Sequence, residues 1–137
     1  NTVPIFGKTP TITWSTITAA NTALDGTGTV ATCFTADATN GSYVQNLVVK
    51  SNTTTATSAA GTLRVFINNG STNSTATNNT LVKEYVLTTV TASATTATIN
   101  WEFPLNIMLP AGYKINCTIA TVAASSGFAL TCCGINY

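Results

Sequence analysis

The chain has no histidine, and its 137 residues include only five basic and four acidic side chains. Histidine is the side chain that ordinarily titrates near neutral pH, and the common hydrolytic enzymes use it as their proton shuttle. Without it, a Ser or Cys nucleophile would depend on a lysine or on one of Asp25, Asp37, Glu84 and Glu102. Asp25 sits in the glycine-rich stretch Asp25-Gly26-Thr27-Gly28 and Asp37 just ahead of Asn40-Gly41, so both have ready roles in turns. Glu84 and Glu102 fall on successive strand segments and form the one pair that could face each other as glycosidase carboxylates do. The stronger reading makes each a solvated strand residue near Lys83, Arg64 or Lys114. We therefore expect no enzymatic activity.

Other absences narrow the choice further. The Asp25–Gly28 stretch lacks the lysine and the following helix of a phosphate loop. The basic residues Lys8, Lys50, Arg64, Lys83 and Lys114 are scattered and make no stripe for a phosphate backbone, so no nucleic-acid partner is expected. Carboxylates do not cluster as calcium sites require, and there are neither CxxC pairs nor histidines for zinc. No cofactor or metal is expected. No apolar run approaches the ~20 residues of a membrane span, and no membrane partner is expected. The six Asn-x-Ser/Thr triplets are close to what the Asn, Ser and Thr content alone yields. The chain opens on Asn1 and not on Met, which suggests a trimmed chain, with or without a removed secretion signal.

The four cysteines are Cys33, Cys117, Cys132 and Cys133. Four can pair in three ways, which spacing does not resolve. Adjacent Cys132 and Cys133 point to opposite faces of a strand and cannot easily grip one metal. Small buried hydrophobes are the simpler reading, with a disulfide as the alternative.

What replaces the missing charge is hydroxyl and amide: 30 Thr, 9 Ser and 14 Asn. Thr is β-branched and suits a pleated surface, whereas Asn and Gly are poor helix residues, and no helical periodicity is present. Alternation is plentiful. Ile12 and Trp14 share a face, as do Val30 and Phe34, then Tyr43, Leu47 and Val49 after the Asn40-Gly41 turn. Leu63, Val65 and Ile67 point inward with Arg64 and Phe66 outward; Ile99, Trp101 and Phe103 share a face, as do Ile115, Cys117 and Ile119. Residues 69–80 are expected to form the longest loop, and Pro104–Gly112 an apolar corner. Trp14 and Trp101 are in phase with apolar neighbours, so a core position is preferred over a sugar-stacking one. This pattern predicts an all-β protein, an antiparallel β-sandwich of the jelly-roll type with about eight strands. An immunoglobulin-like sandwich is the alternative. Residues 1–10, with two prolines, read as an extended N-terminal arm, and residues 11–137 as one domain.

The opening Asn1-Thr2-Val3-Pro4-Ile5-Phe6, the Asp25-Gly26-Thr27-Gly28 turn and Phe66-Ile67-Asn68-Asn69-Gly70-Ser71 resemble small tailed-bacteriophage and prophage proteins. Leu109-Pro110-Ala111-Gly112-Tyr113-Lys114 and the ending Gly134-Ile135-Asn136-Tyr137 extend the resemblance over essentially the whole chain. Cys132-Cys133 departs from the small or β-branched residues expected before the final glycine. The resemblance implies a capsid decoration (cement) or head-auxiliary protein, a structural virion component on the outer capsid surface. It implies the major capsid protein as partner and a homo-oligomer, a trimer being the usual form. On that reading the arm residues Val3, Pro4, Ile5 and Phe6 would reach onto the capsid or a neighbour, and Ile107, Met108 and Leu109 would be buried between subunits. Competing readings are a carbohydrate-binding or adhesive module on a phage fibre or cell surface, and a secreted pilin-like or surface-layer subunit. An exposed Trp14, Trp101 or Tyr85 ring would favour the carbohydrate-binding one.

Overall fold

The computed structural model of the protein describes residues 6–52, 60–122 and 127–137. Among them lie eight strands: β1 (Thr9–Ile17), β2 (Ala31–Thr35), β3 (Ser42–Ser51), β4 (Gly61–Asn68), β5 (Asn79–Leu87), β6 (Asn100–Leu109), β7 (Lys114–Ile119) and β8 (Phe128–Asn136). All pairs are antiparallel, in two four-stranded sheets ordered β1-β8-β3-β6 (sheet A) and β2-β7-β4-β5 (sheet B). Successive strands change sheet at every step except the β4–β5 hairpin, so the chain wraps around the core. This is the jelly-roll arrangement and not the ABED/CFG order of an immunoglobulin sandwich. No described helix is long and apolar enough to cross a membrane.

Alternation fills the space between the sheets. Leu47, Val49 and Leu130 of sheet A meet Leu63, Val65, Ile115 and Ile119 of sheet B, all fully buried. Three irregularities break the simple period. In β2 a bulge between Thr32 and Phe34 buries the consecutive residues Cys33 and Phe34. In β3 a bulge between Val44 and Asn46 moves the inward set from Ser42 and Val44 to Leu47 and Val49. Tyr43 therefore does not share a face with Leu47 and Val49, contrary to the strict-period expectation. In the β4–β5 pair a register shift lies opposite Val65 and Phe66.

Two sequence expectations about loops change. The Pro104–Gly112 stretch is no corner, because β6 runs through Pro104 to Leu109. As an edge strand, β6 tolerates a residue with no N–H to donate. The chain turns only at Pro110–Tyr113, where Gly112 takes φ 73° and Tyr113 N donates to Pro110 O at 3.1 Å. The longest connection is also not residues 69–78, which include the short 3-10 turn Ala76–Asn78, but the β1–β2 segment, residues 18–30.

The thiols of Cys33, Cys117 and Cys132 meet in the core, and none of the four cysteines is in a disulfide. The hydrogen bond with Cys117 holds the Cys33 thiol well above the ordinary range, and the bond with Cys33, followed by burial, raises Cys132. Both stay protonated, as inert core thiols do. β1 begins at Thr9 and Lys8 N donates to Asn136 O at 2.8 Å, so the last residues assigned to the arm are paired with β8. Val3, Pro4 and Ile5 lie outside the described residues.

Candidate interaction surface

Each sheet also has an outer face, and the two are treated differently. Across sheet B, Arg64 and Phe66 do point outward as alternation requires. Phe66 is nonetheless fully buried, apart from the main core. The cover is the segment 18–30, which folds back over the sheet. Asn21 N donates to Ile119 O at 2.9 Å, Arg64 donates to Thr22 O at 3.3 Å, and Gly26 packs so closely that a Cβ there would sit 3.1 Å from the Phe66 ring.

Side-chain amides hold this segment in place. Asn21 Nδ2 donates to Thr27 O and Thr29 O at 2.9 and 2.7 Å, while its Oδ1 accepts from Ala23 N. Asn73 Nδ2 donates to Gly28 O at 2.9 Å, and Asn79 Nδ2 donates to Asp25 O at 3.1 Å. Asp25 accepts from the Thr27 hydroxyl and the Thr27 N–H, and those bonds hold its carboxyl below the usual range. Asn21, Asn73 and Asn79 are thus the fasteners of a flap. Of the large apolar side chains on this face, Val86 of the edge strand and Leu24 of the flap remain exposed.

Sheet A has no such cover among the described residues. Reading across its register from β1 to β6, one row holds Pro10, Ile135, Tyr43 and Met108. The next holds Ile12, Cys133, Asn46 and Pro104, and a third Trp14, Thr131, Val48 and Glu102. Trp14 is 75% exposed, Met108 71% and Ile12 61%. The core position expected for Trp14 is therefore incorrect. Its phase was right, since it shares a face with Ile12, but that face is the outer one. Trp101 lies on the inward face of edge strand β6, in line with Val49, and is 38% exposed at the side of the sandwich. Its ring stacks on Phe103, centroids 6.0 Å apart, and Phe103 stacks on Tyr85 at 3.6 Å.

Two shallow grooves mark this face. One, of about 340 Å³, is lined by Asn40, Met108, Leu109, Pro110 and Tyr137 at the end of sheet A where β1 begins. Phe6, 74% exposed, lies at the same end, three residues before Thr9. Gly7 lies against Ile135 with no room for a side chain, a Cβ being only 2.5 Å from Ile135 Cγ2. The second groove, of about 360 Å³, is lined by Gln45, Asn46, Glu102, Pro104 and Asn106 in the middle of strands β3 and β6. There Asn46 Nδ2 donates to Glu102 Oε1, and the Tyr43 hydroxyl donates to Asn106 Oδ1 at 2.7 Å.

The structure sorts the expected contact residues. Phe6 and Met108 are exposed and lie at one end of sheet A. Leu109 is 3% exposed in the core and Ile107 packs half-buried against it, because alternation along β6 turns both inward. Only Met108 of those three is available to another molecule. Glu84 and Glu102 do not face each other. They lie on the outer faces of different sheets, Glu84 paired with Arg64 at 2.8 Å. Asp37 accepts from Asn40 N and Thr39 N at the β2–β3 turn, which lowers its pKa. Among the described residues no cluster of three or more His, Cys, Asp or Glu could hold a metal ion. No protein-family model matches the chain. No curated protein matches it either.

Proposed function

We propose that this protein is a non-enzymatic structural component of a particle, a tailed-phage capsid decoration protein that docks as an oligomer on the outer shell. The observation that carries the reading is that Phe6 and Met108, two large exposed apolar side chains, both lie at one end of sheet A. Met108, Pro110 and Tyr137 line an open groove at that end. Large exposed apolar side chains rimmed by polar ones mark contact sites on otherwise soluble surfaces. The scarcity of charge fits a contact whose strength varies little with salt. The sequence resemblance to capsid-decorating proteins supplies the partner, the major capsid protein, and a trimer as the assembly. The fold alone does not choose, since jelly rolls serve capsids and lectins alike.

The test is co-sedimentation of the purified protein with heads of the encoding phage stripped of their own copies. Wild-type protein should pellet with the heads. A Phe6→Asp/Met108→Asp variant should lose binding by at least about 100-fold, as removal of two central anchors does, with an unchanged melting temperature. Because Lys8, Thr9 and Pro10 pair with β8, the deletion that tests the arm stops at Gly7. Wild-type protein that stays in the supernatant would overturn the reading.

A further inference from the structure

The Trp14 end of sheet A does not belong to the Phe6–Met108 contact, and its chemistry is different. Trp14, Thr131, Val48 and Glu102 lie in one row across β1, β8, β3 and β6. At the Trp14 end stands an indole with three quarters of its surface open to solvent. At the other lies the groove of Gln45, Asn46, Glu102 and Asn106, which offers amide donors, the Gln45 and Asn106 amide oxygens as acceptors and one carboxylate, the Asn46 Oδ1 being buried. The Glu102 carboxylate is oriented by Asn46 and the Asn106 amide by Tyr43, so the polar groups are set before any ligand arrives. Between the two ends, Thr131 and Val48 are half-buried and form a low floor.

A protein partner would favour a continuous apolar centre. This row instead separates one aromatic plate from a cluster of hydroxyl-matching groups. A pyranose presents both counterparts, a flat face of C–H groups that packs on an aromatic ring and a rim of hydroxyls that each donate and accept. With strands about 4.8 Å apart, the row from Trp14 to Glu102 spans about 14 Å, the reach of a short oligosaccharide and not of a single sugar. The row runs across an open sheet face and carries one acid, which suits a neutral, extended chain of equatorially linked sugars.

We propose that this row is a glycan-binding site for a neutral β-1,4-linked oligosaccharide, with Trp14 as the stacking platform and Glu102, Asn46 and Gln45 as the hydroxyl-binding groups. The site does not rest on the capsid reading, because its residues are not those of the Phe6–Met108 end.

The experiment is titration calorimetry of the intact chain with cellohexaose and with chitohexaose. Binding to at least one is expected. Trp14→Ala should weaken it at least tenfold, Trp14→Tyr should restore most of it, and Glu102→Gln should weaken it a few-fold. Trp101→Phe, away from the outer face, should bind as wild type. Trp14 is exposed, so its variants are expected to melt with the wild-type protein, which a thermal scan verifies. Absence of heat with both sugars, or equal binding by Trp14→Ala and wild type, would overturn the site. Head co-sedimentation by Trp14→Ala should remain normal, so a failed glycan site and a failed capsid reading give different results.

Discussion

The two outer faces of this sandwich begin from the same kind of strand and end in opposite states. Phe66 on sheet B and Trp14 on sheet A are both large aromatics that point away from the core, yet Phe66 is fully buried and Trp14 is 75% exposed. The difference is not in the strands. It lies in residues 18–30, whose amide-pinned backbone covers one sheet, while over the other the described residues bring only Gly7, against Ile135, and no such flap. Direction is set by alternation; burial is set by what the loops do afterwards. A face that the described residues leave open is the place to look for a partner.

The sharpest test of that contrast is a matched pair of truncations. Phe66→Ala should destabilise the protein by about 3–5 kcal/mol, the cost of emptying a site occupied by a packed aromatic. Trp14→Ala should stay within about 0.5 kcal/mol of wild type, as exposed substitutions usually do. Urea unfolding curves for both variants decide it. Equal losses would mean that the two faces are not differently covered.

A smaller effect is expected from unfastening the flap without touching what it covers. Asn21 makes three hydrogen bonds to backbone groups of residues 23, 27 and 29. Asn21→Ala should cost about 1–3 kcal/mol, since the partly buried Thr27 carbonyl and Ala23 N–H lose their partner. Amides of residues 22–29 should exchange with solvent faster, while those of β8 and β3 keep their protection. Uniform acceleration across both sheets would show that the flap and the sandwich open as one unit.

How far the sequence revealed this depended on which physical cue was in play. Alternation located the strands and placed Leu63, Val65, Ile115, Cys117 and Ile119 in the core, because a regular pleat has a period of two. It failed where the pleat slips. The bulge after Val44 moved Tyr43 away from Leu47 and Val49, and no residue type in β3 announces it. It also left open which side of a strand was the inside, so the shared phase of Ile12 and Trp14 was read as core. β1 is an edge strand whose inward positions are Thr11, Thr13, Ser15 and Ile17, and Thr13 Oγ1 donates to Cys33 O at 2.5 Å. Apart from Ile17, its apolar residues are the ones left outside. The flap could have been suspected from Asn21, Asp25, Asn73 and Asn79, yet no local pattern says that distant asparagines will hold the same segment.

The smallest expected effect is the pH response, and it too divides the two faces. Asp25 lies in the flap and Asp37 in the β2–β3 turn, and both carboxyls are held below their usual range by hydrogen bonds from the following residues. A depressed pKa in the folded state means that the unfolded chain binds more protons in acid, so the stabilisation is present above the ordinary carboxylate value near about 4 and is lost as pH falls through the lower, folded value. With no histidine, no side chain ordinarily titrates between about pH 5 and 8, and the melting temperature should be flat across that window. Below about pH 4 it should fall. Hydrogen exchange should accelerate first in the flap, because Asp25 accepts both the Thr27 hydroxyl and the Thr27 N–H there. Asp25→Asn should remove part of the acid slope and speed flap exchange already at pH 7, while the strands of sheet A respond to neither change. A melting temperature that stays constant down to pH 2.5, or exchange that rises in β1 and β8 before the flap, would break the division between the covered and the open face.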